Sequence, residues 1–151
     1  MNPSVFVYRI GNWFYRNKMS IISKFFSYLN RILFSVWLPS SAKIGNNFKV
    51  GYWGLGIVMH SNTVIGKNCL VAQNVTIGRN FGDTLVPVIG DDVYIGAGSV
   101  VFGEITIGNN VIIGSNSVIN RSIPDDCTAV GNPFKIIIEN RFEKYYEMDK
   151  K

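Results

Sequence analysis

The feature that most limits how this chain can fold is a six-residue period in its aliphatic residues. With two departures, an aliphatic residue recurs every sixth position from 44 to 119, and Gly follows eight of these twelve positions. A period held over such a length indicates a repeat architecture, in which each unit buries its apolar residues only by stacking on its neighbours. The twelve positions are Ile44, Val50, Met59, Ile65, Val71, Ile77, Ile89, Ile95, Val101, Ile107, Ile113 and Ile119.

Asn or Asp stands three positions after the aliphatic residue in most hexads. These residues tolerate left-handed backbone, so each hexad offers one short strand followed by one tight corner. Hairpins do not account for an aliphatic residue that keeps its phase from Met59 to Ile119. The pattern therefore predicts a coil of stacked strands. The corner positions are Asn47, Asn62, Asn68, Asn74, Asn80, Asp92, Asn110 and Asn116.

Three segments resemble one known family, the hexapeptide-repeat acyltransferases. They are IGKNCLVAQNVTIG (65–78), PVIGDDVYIGAGSVVFGEITIGNNVIIGSNSVI (87–119) and SIPDDCTAVGNPFKII (122–137). The closest likeness is to serine acetyltransferases and to the short acetyltransferases of surface-polysaccharide assembly. The resemblance implies an all-β fold, a left-handed parallel β-helix of three hexads per coil. It also implies a homotrimer that binds acetyl-CoA as co-substrate in the groove between neighbouring subunits.

The chain divides into three predicted parts: an N-terminal helical segment (1–41), the β-helix (42–138) and a C-terminal tail helix (139–151). A helix from Ser20 to Trp37 is amphipathic, and a shorter one from Val5 to Tyr15 precedes it. Its polar face carries Ser20, Lys24, Ser27, Arg31 and Ser35, and its apolar face carries Ile21, Phe25, Phe26, Leu29, Ile32, Leu33 and Val36.

Two roles are open for these helices. They either cap the coil or pack within a trimer, or they attach the protein peripherally to the inner face of the cell membrane. Cations beside aromatic residues favour contact with anionic lipid, and these cations are Arg9, Arg16, Lys18, Lys24 and Arg31. Neither helix is expected to span a bilayer.

Charge and composition narrow the partners. The first acidic residue is Asp83, after nine Lys and Arg. A basic half attracts nucleic acid, anionic lipid or a phosphorylated ligand such as coenzyme A, but no nucleic-acid-binding signature accompanies it, so nucleic acid is not expected. Two Cys and no secretory signal predict a cytoplasmic protein, and a single His leaves no three-His metal site.

The two departures from the period are the candidate site. Nine residues instead of six separate Val50 from Met59, and Asp83 stands where an aliphatic residue is due between Ile77 and Ile89. The segments 51–58 and 79–87 are therefore expected to bulge out of the coil. A coil of 18 residues places His60 beside Gly78, at the start of the second bulge.

The resemblance suggests roles for particular residues. In the family a His acts as general base, which implies that role for His60, with Asp83 as the carboxylate that orients it; the alternatives are a surface His and a solvated loop Asp. Tyr52 and Trp53 are expected either to line the acceptor pocket or to pack in the core or an interface. Coenzyme binding is assigned to Gly96, Gly98 and Gly114 for the pantetheine arm, and to Arg79 and Lys135 for the phosphates.

The chain departs from the family pattern at three places. The family's DHATGIVV aligns on YWGLGIVM and its GDRHP on GDTLVP, so two family histidines have no counterpart here. Phe134 replaces the usual Ala, and its ring is expected to reshape the end of the coenzyme groove. The leading hypothesis is O-acetylation of a sugar hydroxyl, free or lipid-linked, in surface-polysaccharide biosynthesis. The alternatives are serine O-acetylation and a non-catalytic trimeric scaffold.

Overall fold

The computed structural model describes residues 2–148, in which two helices lead into a stack of short strands closed by a hairpin and one short helix. The helices are α1 (Pro3–Arg16), α2 (Ser20–Phe34) and α3 (Tyr145–Met148). The strands are β1 (Lys43–Ile44), β2 (Lys49–Val50), β3 (Val58–Met59), β4 (Val64–Ile65), β5 (Leu70–Val71), β6 (Thr76–Gly78), β7 (Val88–Ile89), β8 (Tyr94–Ile95), β9 (Val100–Phe102), β10 (Thr106–Ile107), β11 (Ile112–Ile113), β12 (Val118–Ile119), β13 (Thr128–Gly131) and β14 (Phe134–Ile138).

The strands form three sheets that are the sides of a prism. Sheet 1 has the order β1-β4-β7-β10, sheet 2 the order β2-β5-β8-β11-β13-β14, and sheet 3 the order β3-β6-β9-β12. All pairs are parallel except the hairpin of β13 and β14. Each run of three consecutive strands from β1 to β12 therefore makes one coil, which confirms the predicted β-helix.

The twelve periodic residues form the core. Each is the second residue of its strand, and none is more than 7% exposed. Because they stack in register from coil to coil, as Ile65 does on Ile44 and Ile89, they bury one continuous apolar column. The six-residue period thus predicts both the positions of the strands and the side of each strand that faces inward.

The Asn and Asp corners also behave as predicted at six of their eight positions. Positive φ values between 55° and 60° occur at Asn47, Asn68, Asn74, Asp92, Asn110 and Asn116. Their side chains join successive coils, because the amide of Asn47 donates to Asn68 over 3.1 Å and that of Asn68 donates to Asp92 over 3.0 Å. Asn62 and Asn80 lack positive φ.

Coil spacing explains why Gly follows so many of the periodic residues. A Cβ atom on Gly96 would lie 2.5 Å from the backbone nitrogen of Ser115 in the next coil, whereas one on Gly78 would meet no atom within 4 Å. Contacts of 2.5 Å with backbone require the coils to move apart. Gly96 is therefore needed for stacking, and Gly78 is not.

We predict that Gly96→Ala lowers the free energy of unfolding by about 2 kcal/mol, because the added methyl group overpacks two coils. Gly78→Ala is the matched control and should change it by less than about 0.5 kcal/mol. Urea unfolding followed by circular dichroism at one fixed protein concentration measures both. Equal losses in the two variants would contradict this account of the coil spacing.

Helix α1 caps the open first coil. The Tyr8 hydroxyl donates to the carbonyl oxygen of Ala42 over 2.6 Å, Asn12 donates to that of Ser40 over 2.8 Å, and the Arg9 guanidinium donates to the carbonyls of Ile44 and Gly45. These carbonyls lie at the start of the stack, where no earlier coil pairs with them. Burial raises the pKa of Tyr8 to about 12, so its hydroxyl stays a donor. The predicted capping role is confirmed.

Helix α2 is amphipathic as predicted, but its apolar side faces outward. An amphipathic helix normally buries its apolar stripe; here Ser23, Ser27 and Asn30 are buried, while Ile21 is 84% exposed and Ile32 is 79% exposed. The small polar side chains allow a close approach to α1 and to Ser40. Ser27 shares a side of the helix with Lys24 and Arg31, as predicted, but it is buried against Ser40 while the two cations are exposed. No helix within residues 2–148 is long and apolar enough to cross a membrane.

The segment 141–148, here the C-terminal strap, folds back over the sheet 2 side of the prism. Lys144 pairs with Asp92 at 3.1 Å, the Tyr146 hydroxyl donates to Asp92 over 3.2 Å, and the Tyr145 hydroxyl donates to the Asn68 carbonyl over 2.8 Å. Burial alone would raise the pKa of Asp92, but hydrogen bonds from Asn68, Lys144 and Tyr146 outweigh it and lower the pKa.

We predict that Asp92→Asn loosens the C-terminal strap and raises the rate of trypsin cleavage within it by about fivefold, because charge-assisted bonds are lost. Asp91→Asn is the control, since Asp91 pairs with Lys67 instead. The pKa of Asp92 is depressed in the folded state, so its contribution is present above the unfolded pKa and is lost as the pH falls through the folded value. Acidification from about pH 4 downward, through this lowered pKa, should therefore loosen the strap in the wild type and not in Asp92→Asn. Hydrogen exchange of residues 141–148 measures this step, because trypsin is inactive at acidic pH. Equal cleavage of Asp92→Asn and Asp91→Asn would contradict the role of Asp92 in holding the C-terminal strap.

Candidate active site

The predicted site residues lie on two edges of sheet 3. The His60 edge, where sheet 3 turns into sheet 1, carries His60, Arg79 and Asp83. The Gly96 edge, where sheet 2 turns into sheet 3, carries Tyr52, Trp53, Gly96, Gly98 and Gly114, and Lys135 lies beyond them in the closing hairpin. In one chain the width of sheet 3 separates the two groups.

His60 follows β3 directly. Its backbone N–H donates to the carbonyl of Ile77 over 2.9 Å, which confirms the predicted stacking beside Gly78. The imidazole is half-buried, and its Nδ1 accepts a hydrogen bond from the backbone N–H of Asn62 at 3.2 Å. A neutral ring held in this way carries its proton on Nε2. Accepting a proton from a substrate therefore requires the ring to release Asn62.

Asp83 is held by a different partner from the one predicted. Its Oδ2 accepts from the backbone N–H of Glu104 at 3.2 Å, and its own N–H donates to Asn80 over 3.2 Å. The bond from Glu104 ties the bulge 79–87 to the coil that contains β9 and β10, and the bond to Asn80 lies within the bulge. Within residues 2–148 no hydrogen bond or ion pair joins Asp83 to His60, because Glu104 lies one coil beyond Gly78.

A groove of about 400 Å³ opens beside His60 on the outer surface of sheet 3. Trp37 forms one wall, where its backbone pairs with β3, and Val58 and Thr76 line the floor. Gly78 leaves open space beside the ring of His60. The groove can accept an extended, largely apolar chain next to the imidazole. Its lining residues are Trp37, Pro39, Val58, Met59, His60, Ser61, Thr76, Ile77 and Gly78.

The sequence analysis placed Trp37 at the end of the second helix, which was wrong: α2 ends at Phe34, and Trp37 lines this groove. Trp37 precedes the repeat, so the six-residue period gives no information about it. Its placement depends on a bridge to Val58, with Trp37 N–H donating to Ile57 over 2.8 Å and Met59 N–H donating to Trp37 over 3.0 Å. Only the folded chain shows that the tryptophan continues sheet 3.

Tyr52 and Trp53 occupy the first predicted bulge, in a turn over Gly51–Gly54. Both have positive φ, 45° and 59°, which is uncommon for large side chains. Tyr52 is 78% exposed, and the Trp53 ring meets Phe34 edge-on at 6.2 Å between centroids. Neither lines the His60 groove. The bulge thus presents two aromatic rings on the Gly96 edge of sheet 3. They could line a site whose other wall lies outside this edge.

The three glycines assigned to the coenzyme have a structural explanation. A Cβ on Gly98 would lie 2.3 Å from Oδ1 of Asn116, and one on Gly114 would lie 2.7 Å from Cγ1 of Val130. The space that these glycines leave open is filled by the next coil. Arg79 and Lys135 are exposed, but they lie on different edges.

Phe134 packs in the core of this chain. Its ring is 6% exposed, belongs to the core cluster and lies under the Arg121 guanidinium at 5.0 Å. It closes the last coil, and its effect on the coenzyme groove stays a prediction.

The remaining reactive side chains are unsuited to nucleophilic chemistry. Burial raises the pKa of the Cys69 thiol to about 11, and burial also raises the pKa of Cys127. Both thiols therefore stay protonated near neutral pH. Among the described residues, no three His, Cys, Asp or Glu side chains are grouped to hold a metal ion. His60 beside the groove therefore stays the candidate for acid–base chemistry among the described residues.

Comparison with known proteins identifies the family. A family model described as bacterial transferase hexapeptide (six repeats) matches residues 87–121. The serine acetyltransferase of Synechococcus elongatus is 35% identical over 132 residues, which cover 86% of this chain and 54% of that protein. The serine acetyltransferase of Helicobacter pylori is 31% identical over 136 residues, covering 89% of this chain and 79% of the relative.

Solved structures give the same answer. A serine acetyltransferase in complex with CoA superposes with a TM-score of 0.81 at 29% identity, over 89% of this chain and 55% of the other. The chain therefore spans about half the length of several relatives that it matches. The match covers the coils, and it confirms the left-handed β-helix fold of the acyltransferases.

These findings correct the leading hypothesis drawn from the sequence. The matched relatives are serine acetyltransferases, so surface-polysaccharide O-acetylation is not supported. The chain belongs to the serine acetyltransferase family of hexapeptide-repeat transferases.

Proposed function

We propose that this protein is an acetyl-CoA-dependent serine O-acetyltransferase that works as a cytoplasmic homotrimer, held peripherally against the inner face of the cell membrane. The observation that carries the acyl-transfer proposal is the match to serine acetyltransferases over 89% of the chain. The open groove beside His60 supports it, because it gives an extended thioester a place next to the only imidazole. CoA bound to a solved relative supports acetyl-CoA as the donor.

The proposed reaction needs one proton acceptor. The serine hydroxyl oxygen attacks the thioester carbonyl carbon, a C–O bond forms, and the C–S bond breaks to release CoA as a thiolate. His60 takes the hydroxyl proton and returns it to the thiolate. Its Nδ1 must first release the N–H of Asn62, at a cost of about 1 kcal/mol. The turn at Asn62 thus holds His60 in a resting position.

A trimer supplies the second wall of the site. The His60 edge and the Gly96 edge lie on opposite sides of sheet 3, so one chain does not bring them together. In a closed trimer, the His60 edge of one subunit can face another edge of its neighbour. Exposed apolar residues beside the His60 edge, Val58, Leu85 and Val88, support an interface there.

The same arrangement gives the other predicted residues their proposed roles. Tyr52 and Trp53 would line the acceptor side of the shared site. The pantetheine arm would run beside Gly96, Gly98 and Gly114. Arg79 and Lys135 would bind the coenzyme phosphates. These two cations lie on different edges of one chain, so together they would meet one coenzyme only across an interface.

A non-catalytic trimeric scaffold is the second candidate. The observations that favour it are the absent family histidines and the hydrogen bond that occupies Nδ1 of His60. A scaffold keeps the coil and its interfaces but has no turnover. Binding of acetyl-CoA without thiol release would identify this case.

We predict that His60→Ala lowers kcat/KM for thiol release from acetyl-CoA with L-serine by about 10² to 10⁴, the usual contribution of a general base. Asn62→Pro is a milder test of the resting turn: it removes the N–H that occupies Nδ1, and activity should persist. No thiol release with L-serine, together with no heat of acetyl-CoA binding, would sink the transferase proposal.

Asp83→Asn separates two roles for the bulge. Because Asp83 contacts Glu104 and not His60, we expect a loss of less than about tenfold in kcat/KM, with the pH profile unchanged. A loss comparable to that of His60→Ala, with a shift in the pH profile, would mean that the loop delivers Asp83 to the imidazole as the orienting carboxylate.

A further inference from the structure

The outward side of α2 is a continuous apolar stripe. Ile21, Phe25, Tyr28 and Ile32 follow one another at helical spacings of four, three and four residues, and all are exposed. Residues so spaced lie on one face of a helix. Leu33 widens the stripe and is exposed as well. Together with the exposed residues of α1 described next, these residues form what is here called the outer face.

A series of aromatic contacts extends the outer face from α2 to α1. The exposed Trp13 ring meets Phe14 edge-on at 5.0 Å, Phe14 stacks on Phe26 at 5.6 Å, and Phe26 meets the exposed Phe25 edge-on at 5.6 Å. The apolar surface is therefore one patch over two helices. Such a patch on a protein surface indicates a binding site.

The apolar side cannot be buried by turning the helix. The Ser27 hydroxyl lies 2.9 Å from that of Ser40, the Ser40 hydroxyl donates to Ser23 over 2.8 Å, and the amide of Asn30 donates to Ser4 over 3.0 Å. Rotation would break all of these bonds and leave buried polar groups without partners. The outer face must be covered from outside the chain.

The charges on the two helices have one sign. Arg16, Lys18, Lys24 and Arg31 are exposed on α1, on α2 or between them, and no acidic residue precedes Asp83. Within residues 2–148 the ion pairs are made by Lys67 and Lys144, so none of these four cations is neutralised by a carboxylate. Lys24 and Arg31 each lie three residues after a stripe residue, so their charged ends flank the apolar surface.

This arrangement favours an anionic lipid surface over a second copy of the chain. Two outer faces packed together would bring like cations into contact, which is repulsive. A bilayer with anionic headgroups takes up the apolar side chains and attracts the flanking cations, whose aliphatic stems lie along the apolar surface. Trp and Tyr are also favoured at the membrane interface.

We propose that the outer face of α1 and α2 binds membranes that contain anionic phospholipid, with Ile21, Phe25 and Trp13 inserted and Lys24 and Arg31 at the headgroups. This deepens the peripheral location given under the proposed function. The outer face adjoins the His60 groove only at Tyr28, whose ring meets that of Trp37 at 5.5 Å. Membrane binding is measured without substrate. If the transferase proposal fails, the membrane-binding proposal is therefore unaffected.

A trimer would strengthen the contact, and this step rests on the proposed homotrimer. Rotation about a threefold axis leaves three outer faces at one level along that axis. If the three faces also point along that axis, the other two are close to the same membrane once one binds, and the overall affinity exceeds that of a single face.

The experiment is co-sedimentation of the full chain with two kinds of vesicle. One contains equal parts of phosphatidylglycerol and phosphatidylcholine, and the other contains phosphatidylcholine alone. We expect binding to the anionic vesicles and loss of binding at high salt. The double variant Ile21→Gln/Phe25→Gln should lower the partition coefficient by at least about tenfold. Lys24→Gln and Arg31→Gln should each lower it by about fivefold.

The matched control is Phe142→Gln, which removes an even more exposed aromatic ring from the C-terminal strap and should leave binding unchanged. Circular dichroism of each variant checks that the helices remain folded. Wild-type chain that stays in the supernatant with both vesicles would overturn the proposal. So would anionic binding that the double variant retains, or a double variant whose only effect is a smaller oligomer by light scattering, which would assign the face to another copy.

Discussion

The close stacking of one coil on the next is the constraint on which the rest of the molecule depends. Backbone bonds such as those from Gly90 to Ile107 and from Gly96 to Ile113, both 2.8 Å, set the separation of the coils, and the aliphatic column fills the space inside. A coil is stable only beside another coil, so both ends of the stack need a cover. Helix α1 supplies the first cover, and the hairpin with Phe134 supplies the last.

Because the stack tolerates little change, variation is confined to its corners. The bulges at 51–56 and 79–87 leave the column intact, since Met59 and Ile89 return to the core in register. They place large or charged side chains, such as Tyr52 and Asp83, on the edges of sheet 3. The edges are also where neighbouring subunits would meet. A rigid coil thus positions variable groups without itself changing shape.

The sequence predicts what the period controls and little of what depends on distant contacts. The core column, the corners and the stacking of His60 beside Gly78 follow from spacing alone. The inward face of α2 does not, because it depends on Ser40 and Ser4, which lie outside the helix. The partner of Asp83 and the burial of Phe134 likewise depend on the next coil. The candidate site was located by the length of the first bulge and by Asp83 at an aliphatic position in the second.

The apolar side of α2 faces outward because one helix has two roles: its polar side chains bind α1 and Ser40, and its apolar side chains bind the proposed membrane. Hydrogen bonds through Ser23, Ser27 and Asn30 each stabilise the fold by about 1 kcal/mol, whereas burying a side chain such as Ile21, Phe25 or Ile32 would gain about 1.5 to 3 kcal/mol. A helix that only capped the coil would be more stable with its apolar side inward or with polar residues outside. Retaining the apolar residues outside is favourable when an external apolar phase covers them. Because no acidic residue precedes Asp83, a lipid surface with anionic headgroups is the favoured cover.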